Sequence, residues 1–323
     1  MLSGWHVHAK SYANELQAKE NVKITAVWDE NGLRGEAWAK ELNADFEADL
    51  NTLLKRDDVD GVCVNCPTNM HKEVIVAAAK AGKHIFTEKV LALTVKDCLE
   101  IAEAVKEAGV KFCISFPHRI NPANLFAKKV AVENLLGDIT LLRVRNAHDG
   151  ATANWLPDDF YDPITCGGGA MMDLGAHPMY LSRWILGEPA SITSMFTSFT
   201  GKGVEDNAVS VIEFKNKAIA IVETGFLSSN SPFSLELYGT KGSLFVGGPE
   251  NKVQIISSKI NSEIPGWVLP SSLPAALPKP TDQWVNGILE GTEIHFGVEE
   301  GIQLTELMEA AYISHKEGRK VKF

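Results

Sequence analysis

The stretch from Gly167 to Pro178, GGGAMMDLGAHP, has the clearest potential for chemistry in this 323-residue chain. It places three glycines before Asp173 and His177, which are four residues apart. On a helix this spacing puts both side chains on one face, one turn apart. A carboxylate beside an imidazole can fix the ring tautomer and stabilise its protonated form, as a general base requires. The sequence therefore predicts an acid–base pair, with a helix-capping Asp173 and an ordinary structural His177 as the alternative.

The elements that would position this stretch change character along the chain. Up to about residue 117, strand and helix signals alternate. Strands are predicted at Val22–Trp28, Gly61–Asn65, His84–Thr87 and Lys111–Phe116. Helices are predicted at Ala9–Leu16, Leu33–Leu42, His71–Ala81 and from a cap at Thr94 to Ala108. Repeated βα units of this length predict an α/β domain with a Rossmann-type parallel sheet over residues 1–117.

Beyond Pro117 the pattern predicts an α+β domain over residues 118–323. Asn121 and Pro122 start a helix, and a proline-rich loop at Pro265–Pro280 precedes helices at Gln283–Leu289 and Val298–Glu317. Strands are predicted at Ile139–Ala147, Ile192–Thr200, Ala208–Phe214, Ala218–Gly225, Ser234–Tyr238 and Ser243–Val246. The short turns KNK and GTKG favour antiparallel pairing, so we expect a large, open and mostly antiparallel sheet.

Composition and charge narrow the class of protein. The chain is long enough for two domains, and its 45% hydrophobic and 22% charged residues are ordinary for a globular protein. A formal net charge of −10 argues against nucleic acid or an anionic membrane as a partner. The apolar runs are too short to cross a bilayer, and the N-terminus lacks the pattern of a signal peptide. We therefore expect a cytoplasmic protein.

The five cysteines are an odd number scattered through the chain, as expected in a reducing compartment. Cys63 and Cys66 form a CxxC, but they lie in a short apolar run that is typical of a buried strand. Residues three apart on a strand point to opposite faces. We therefore do not expect a redox pair or a metal clip at this position.

An acidic residue at the end of the second predicted strand indicates the cofactor. Asp29 follows Gly4 by 25 residues, the place where a carboxylate usually holds a ribose 2′-hydroxyl and would repel a phosphate. Glu30 follows it, and the nearest arginine in the sequence is Arg34. We therefore expect NAD rather than NADP. The alternative is an aspartate that merely ends a strand.

The loop that should hold the cofactor diphosphate is poor in glycine. Where G-x-G-x-x-G is expected the chain has SGWHVHA, so Gly4, Trp5 and His6 would line the cofactor. Only Met1 and Leu2 are available as a first strand, so either a few residues precede Met1 or the strand is truncated; we favour the former. His6 and His8 lack a neighbouring carboxylate or thiol in the sequence, so we expect no metal site.

The chain resembles the glucose–fructose oxidoreductase/inositol dehydrogenase (Gfo/Idh/MocA) family over nearly its whole length. The segment FEADLNTLLKRDDVDGVCVNCPTNMHKEVIVAAAKAGKHIFTEKV, residues 46–90, is similar to the second half of the family's nucleotide domain. GGGAMMDLGAHPMYLSRWILGEP is similar to its signature in the second domain. SLELYGTKGSLFV and the ending EAAYISHKEGRKVKF are similar to a later strand and the last helix.

The resemblance implies a hydride-transfer enzyme that uses NAD(P) on a sugar, a polyol or a related hydroxyl compound. The family's catalytic lysine, aspartate and histidine fall on Lys89, Asp173 and His177. In such a reaction His177 exchanges a proton with the substrate hydroxyl, Asp173 orients it, and Lys89 stabilises charge on the oxygen. Further matches to cofactor-lining positions are Cys66, Pro67, Thr68, Asn69, His71, Glu88 and Arg119. The departures from the pattern are Val90, where the family generally has proline, and the glycine-poor loop.

Substrate selection is expected from the second domain. The candidates between the Ile139 strand and the glycine triplet combine aromatic and acidic groups, which suit a polyhydroxylated ligand: His148, Asp149, Trp155, Tyr161 and Asp162. Nearly continuous apolar strands such as AIAIVETGF predict a sheet face covered by another subunit, and hence a homodimer or homotetramer. Two other functions remain open: a dinucleotide-binding sensor without turnover, and a hydrolase or lyase that oxidises its substrate transiently.

Overall fold

The chain forms two compact units in this computed structural model, which describes residues 1–260 and 266–323. One unit holds Met1–Phe116 and Pro278–Thr305. The other holds the described residues between Pro117 and Leu277 together with Glu306–Phe323. The predicted assignment of everything after residue 117 to the second domain is therefore wrong for Pro278–Thr305. Pro265, where the predicted proline-rich loop begins, lies outside the described residues.

The predicted helices and strands are present in the predicted order, most of them with shifted ends. The helices are α1 (Ala9–Gln17), α2 (Gly32–Leu42), α3 (Leu50–Leu54), α4 (His71–Lys80), α5 (Val95–Ala108), α6 (Pro122–Val132), α7 (Ala170–Asp173), α8 (Ala176–Leu186), α9 (Pro280–Leu289) and α10 (Val298–Glu317). The strands are β1 (Ala26–Val27), β2 (Asp45–Phe46), β3 (Gly61–Val64), β4 (His84–Thr87), β5 (Phe112–Ile114), β6 (Ile139–Ala147), β7 (Pro189–Thr197), β8 (Asn207–Phe214), β9 (Ile219–Gly225), β10 (Ser234–Gly239), β11 (Gly242–Gly247), β12 (Lys252–Ser257) and β13 (Val321–Lys322). The elements that were not predicted are α3, β2, β12 and β13. Three short 3-10 turns lie at Thr68–Met70, Pro117–Ile120 and Asp158–Tyr161.

The first unit contains the predicted parallel sheet. β1 pairs with β2, and β3, β4 and β5 pair in that order, all in parallel. Leu2 joins the two groups because it bridges to Trp28 on one side and to Val64 on the other. The order is therefore β2–β1–Leu2–β3–β4–β5. This confirms the Rossmann-type sheet, in which Leu2 holds the central position.

A cavity of about 160 Å³ lies beside this short central segment. Met1, Ala26 and Val62 are part of its lining, together with Trp284 from α9. The predicted strand at Val22–Trp28 is shortened to β1 because a ladder extends only as far as its neighbour.

Local capping signals place the helix ends where the sequence predicts them. The Thr94 side chain accepts a hydrogen bond from the Asp97 amide (3.1 Å), which satisfies one of the free N–H groups at the start of α5. Gly109 ends that helix with φ of +64°, a left-handed conformation that glycine adopts without a steric penalty. Asn31 caps α2 in the same way as Thr94 caps α5. The N-caps Asn31 and Thr94 fix the loops that follow the carboxyl ends of β1 and β4.

The second unit is built on one eight-stranded sheet with the order β12–β11–β10–β6–β9–β8–β7–β13. All its neighbours are antiparallel except β6 and β9, which confirms the mostly antiparallel sheet. Alternate residues of β8 are buried, and α7 and α8 pack on the sheet. Among residues 1–260 and 266–323, no helix combines the length and apolar character needed to span a bilayer.

Candidate active site

The predicted cofactor residues of the first unit gather at the carboxyl ends of its parallel strands. Gly4, Trp5 and His6 follow the Leu2 bridge, and Asp29 follows β1 by two residues. The remaining ones follow β3 or β4 directly or begin α4: Cys66, Pro67, Thr68, Asn69, His71, Glu88 and Lys89. Ligands in open α/β sheets bind at this edge. The loop leads into α1, whose N-terminus is the kind of site that holds a diphosphate.

Asp29 is buried and paired with an arginine that the sequence analysis did not place beside it. Arg34 donates from Nε to Oδ2 (2.9 Å) and from Nη2 to Oδ1 (2.7 Å), and it also contacts Glu30. The Gly4 amide donates to Oδ2 at 2.8 Å, which ties the diphosphate loop to the end of β1. Asp29 and Glu30 carry two negative charges against the single positive charge of Arg34, so the site at the end of β1 is net negative. A 2′-phosphate is therefore still disfavoured.

Glu88 is the centre of a buried hydrogen-bonded cluster. Its Oε1 lies 2.7 Å from His8 Nδ1 and also accepts from the Tyr12 hydroxyl, while Oε2 accepts from the Lys89 amide (2.8 Å). Burial alone would raise the pKa of the Glu88 carboxyl, but the charges of His6 and His8, the His8 hydrogen bond and the charge of Lys89 hold it well below its usual range. Glu88 is therefore a fixed carboxylate directly before Lys89.

A carboxylate lies beside His6 and His8, contrary to the expectation from the local sequence. Glu88 supplies the carboxylate that the local sequence lacks, and one ligand atom from each of the three residues lies within 4.8 Å of the others. The Glu88 oxygens already accept hydrogen bonds from Tyr12 and from the Lys89 amide. Binding an ion would displace such bonds, so the absence of a metal stays a prediction here.

His71 contacts the main chain of the segment that carries Lys89. Its Nδ1 is 2.8 Å from the Val90 carbonyl oxygen and its Nε2 is 3.1 Å from the Cys66 carbonyl oxygen. Both ring nitrogens thus contact the main chain, which links the end of β3 to the residues after β4. The peptide bond between Lys89 and Val90 is cis. Cofactor contact by His71 stays a prediction, and its observed contacts support the lysine segment.

Cys63 and Cys66 are both buried. Burial raises the pKa of the Cys63 thiol to about 12 and that of Cys66 well above its usual value. A thiolate is the reactive form of cysteine, so this environment opposes redox chemistry or metal binding at either sulfur.

The glycine triplet of the second unit lets the main chain lie close to Tyr312 of α10 and to Glu205. Gly167 has φ of +77°, and a Cβ at Gly168 would overlap the Tyr312 hydroxyl. Glu205 anchors the end of the triplet: its Oε1 accepts from the amides of Gly169 (2.9 Å) and Met171 (3.0 Å) and from the Tyr312 hydroxyl (2.6 Å). The start of α7 is therefore capped by a carboxylate from a distant part of the chain, which no local signal indicated.

Asp173 and His177 do not share one regular helix, contrary to the expectation from their spacing. α7 ends at Asp173 and α8 begins at Ala176. Between them the hydrogen-bond pattern slips: the Gly175 amide donates five residues back, to Ala170, and the His177 amide donates three residues back, to Leu174. Pro178 has no N–H to bond the Leu174 carbonyl in the regular way, which accounts for the slip.

His177 is buried, and its ring is held by residues that the sequence analysis missed. Nδ1 of His177 lies 2.9 Å from the Tyr180 hydroxyl oxygen, which also accepts the His118 amide hydrogen at 3.1 Å. The ring centroids of His118 and His177 are 4.7 Å apart. Tyr180 follows His177 by three residues in α8, a spacing that could have identified it. His118 stands directly before the predicted Arg119, whose guanidinium lies over the Trp184 ring (5.1 Å).

Three of the proposed substrate residues share one aromatic cluster. His148 stacks on Phe226 (5.1 Å between centroids) and lies 4.5 Å from the Trp155 ring, while Tyr161 meets Phe226 edge-on (6.4 Å). Trp155 Nε1 donates to Asp149 (3.0 Å), which fixes the indole although it is 54% exposed.

Asp162, the last of the five substrate candidates, has a local contact instead. Its carboxylate accepts from the amide of Ile164 two residues later (2.8 Å), as in a turn.

Burial lowers the pKa of His148, and the nearby charge of Asp173 partly offsets this effect. The Asp173 carboxylate thus acts electrostatically on the aromatic cluster.

Two family models match this chain. The oxidoreductase family model with an NAD-binding Rossmann fold matches residues 3–116. The GFO/IDH/MocA C-terminal domain model matches residues 125–245.

Individual relatives agree with these matches. The chain is 31% identical over 273 residues to scyllo-inositol 2-dehydrogenase (NAD(+)) of Bacillus subtilis strain 168, covering 80% of this chain and 75% of that one. It is 30% identical over 241 residues to 2,7-anhydro-N-acetylneuraminate hydratase of Escherichia coli K12, covering 72% and 63%. The structure of GenD2 from gentamicin A biosynthesis in complex with NAD has a TM-score of 0.84 and 25% identity, covering 100% and 95%. The chain belongs to the Gfo/Idh/MocA family of oxidoreductases, and its first unit is an NAD-binding Rossmann domain.

Proposed function

We propose that this oxidoreductase transfers a hydride between NAD and a secondary hydroxyl of a sugar or polyol. The observation that carries the proposal is the buried His177, held at Nδ1 by Tyr180 on the glycine-rich stretch. In the proposed reaction Nδ1 keeps this contact, and Nε2 is the nitrogen that exchanges a proton with substrate. The inositol dehydrogenase relative supports a polyol substrate.

The roles of the side chains follow from the bonds that change. Oxidation of a carbinol breaks its C–H bond, with the electron pair leaving as hydride, and its O–H bond, whose proton passes to His177. NAD, when bound, supplies the hydride acceptor. The Lys89 ammonium stabilises negative charge on the oxygen while C=O forms. Asp173 adds negative charge near the imidazole as it becomes positive. Asp29 and the start of α1 would hold the ribose and the diphosphate.

A cofactor-coupled screen tests this function. Purified protein is incubated with NAD+ and single inositols, aldoses, anhydrosugars or sugar acids, and absorbance at the NADH band is followed. We expect NADH formation with at least one compound that carries adjacent hydroxyls, and its abolition in the His177→Ala variant. Absence of NADH with every substrate, despite measured NAD binding, would contradict net dehydrogenation.

A second candidate is a reaction in which the substrate is oxidised only transiently. It is supported by the similarity to 2,7-anhydro-N-acetylneuraminate hydratase, whose name describes no net redox change. The same acid–base set serves both reactions, so product analysis separates them. Conversion of an anhydrosugar or a glycoside without accumulation of NADH would favour the second candidate.

The exposed Trp155 is the proposed substrate platform. Aromatic faces cover the apolar faces of sugar rings, and this indole is fixed by Asp149 and His148 before any ligand binds. We propose that Tyr161 and Asp162 belong to the same substrate site. Asp162 would contribute indirectly, by stabilising the turn of its own loop. Arg119 is proposed to contact the cofactor.

Cofactor choice gives the first prediction. Asp29→Ser removes the carboxylate that pairs with Arg34 and leaves the guanidinium available for a phosphate. We expect the ratio of NADP+ to NAD+ in kcat/KM to rise by about tenfold or more, since one charge-assisted hydrogen bond is worth about 1.5–3 kcal/mol. Steady-state kinetics with both cofactors measure it. Asp58→Ser, which breaks a similar pair with Arg56, is the matched control. An unchanged ratio in the Asp29 variant would refute the assignment.

Assembly gives the second prediction. Met195, Val209 and Val211 are exposed on one face of β7 and β8, with Ile219 beside them on β9. We propose that a second copy of the chain covers this apolar face, giving a dimer or tetramer. Val211→Lys should shift sedimentation towards monomer, whereas Leu33→Lys, at an exposed residue of the first unit, should not. A wild-type monomer at every concentration would refute the proposal.

A further inference from the structure

The hydroxyl of Tyr180 stands between His177 and the 117–120 turn. Its oxygen accepts the peptide hydrogen of His118 at 3.1 Å and lies 2.9 Å from Nδ1 of His177. Tyr180 is buried, and its ring meets the imidazole edge-on at 5.6 Å. One oxygen thus links the histidine of α8 to the main chain of a different segment.

The hydrogen-bonding capacity of a phenol decides what this link can do. A peptide N–H can only donate, so the His118 amide occupies one lone pair of the Tyr180 oxygen. The hydroxyl retains one proton and a second lone pair. With that lone pair the oxygen can accept from Nδ1–H of His177. A reaction that adds and removes the proton at Nε2 leaves this hydrogen on Nδ1 in both ring states.

We propose that Tyr180 is the positioning residue of His177, holding the ring in place in both of the protonation states through which the reaction takes it. This inference rests on the proposed function, in which His177 gains a proton on Nε2 during oxidation and loses it during reduction. In each state Nδ1 keeps a partner at the same position. The ring can therefore serve as base and as acid without changing its orientation.

Other groups around His177 have different parts in this arrangement. His118 contributes its amide to Tyr180, and its ring lies 4.7 Å from the His177 ring and 4.9 Å from Phe233. The peptide carbonyl of His118 accepts from Asn124 Nδ2 at 2.9 Å, which fixes the turn. Tyr180 thus joins the imidazole to a turn that is itself held in place.

Tyr180→Phe tests the proposal because it removes only the hydroxyl. Loss of a bond that is stronger to the imidazolium than to the neutral ring should lower the titration midpoint of His177 by about one pH unit. Long-range 1H–15N spectra of histidine-labelled protein report this midpoint and the ring tautomer, with His177→Gln assigning the signal. In the pH profile of kcat, the limb that reports deprotonation of His177 should move by the same amount. The value of kcat should fall about three- to tenfold, and the affinity for NAD should not change.

Tyr238→Phe is the matched control, because that hydroxyl is also hydrogen-bonded, to Glu236 at 2.6 Å on the sheet. It should leave both the His177 signal and the pH profile unchanged. An unaltered His177 midpoint and tautomer in Tyr180→Phe would overturn the proposal. The spectra need no substrate, so the expected shift without any turnover by the wild type would overturn the proposed function and not the link between Tyr180 and His177.

Discussion

Replacing His177 by alanine should lower kcat by about a hundredfold or more. A positioned general base typically contributes a factor of about 10²–10⁴, and the imidazole is the group to which we assign the substrate proton. The Rossmann unit is untouched by this change, so the affinity for NAD should stay within about twofold. The reaction is predicted to be slow at every pH, because the variant lacks the imidazole to which the proton is assigned.

Steady-state kinetics on the substrate found by the screen measure the loss, and a fluorescence titration with NADH measures cofactor binding. His295→Ala is the matched control, since this half-exposed histidine of the first unit pairs with Glu293. Added imidazole should restore part of the activity of the His177 variant and none in the control. Full turnover by the His177 variant would remove the residue from the catalytic set.

The parts of the fold that the sequence predicts well are those fixed by neighbouring residues. The cap at Thr94 and the left-handed Gly109 mark the ends of α5 because both act within one turn. Buried and exposed residues alternate along β8 because one face of the sheet is buried and the other is exposed. β6 and α10 have the predicted bounds for similar reasons. Local rules are sufficient for such elements.

The errors arise where a distant residue decides the outcome. Glu88 lies 80 residues from His8 in sequence, so the carboxylate beside that histidine could not be inferred locally. The return of Pro278–Thr305 to the first unit depends on contacts such as Trp284 with Phe86 (5.8 Å). The helix slip before His177 is different, because Pro178 was visible in the sequence and its missing N–H indicated the break.

The candidate site shows the same division. Residue types and spacing predicted Asp173 and His177 as catalytic residues, and the family resemblance predicted Lys89; their roles stay predictions. Three contacts at the candidate site were missed: Tyr180 with the imidazole, Glu205 with the glycine triplet and Arg34 with Asp29. Glu205 is distant from the triplet in sequence, and single-sequence patterns do not report such a contact. Tyr180 and Arg34 lie within five residues of their partners, so their spacing was visible in the sequence.

Lys89→Met should lower kcat/KM by about 10²–10³, the usual effect of removing one donor that stabilises charge on a reacting oxygen. Methionine keeps a similar length and fits a site where the lysine is 5% exposed. Glu88 fixes the lysine backbone, and the His71 contact with the Val90 carbonyl holds the following residue, so the segment should keep its course. Lys83→Met is the matched control, because that ammonium only donates to a main-chain carbonyl.

The double variant Lys89→Met/His177→Ala decides whether the ammonium and the imidazole serve one step. Groups that act as a unit in one transition state lose their effects together, so the double variant should be about as slow as the slower single variant. Groups that contribute independently do not show this saturation, and their losses multiply. Initial rates of all four proteins with saturating NAD+ complete the cycle. If the two losses multiply in full, Lys89 and His177 contribute independently, and a mechanism in which they act as one unit on the substrate oxygen is wrong.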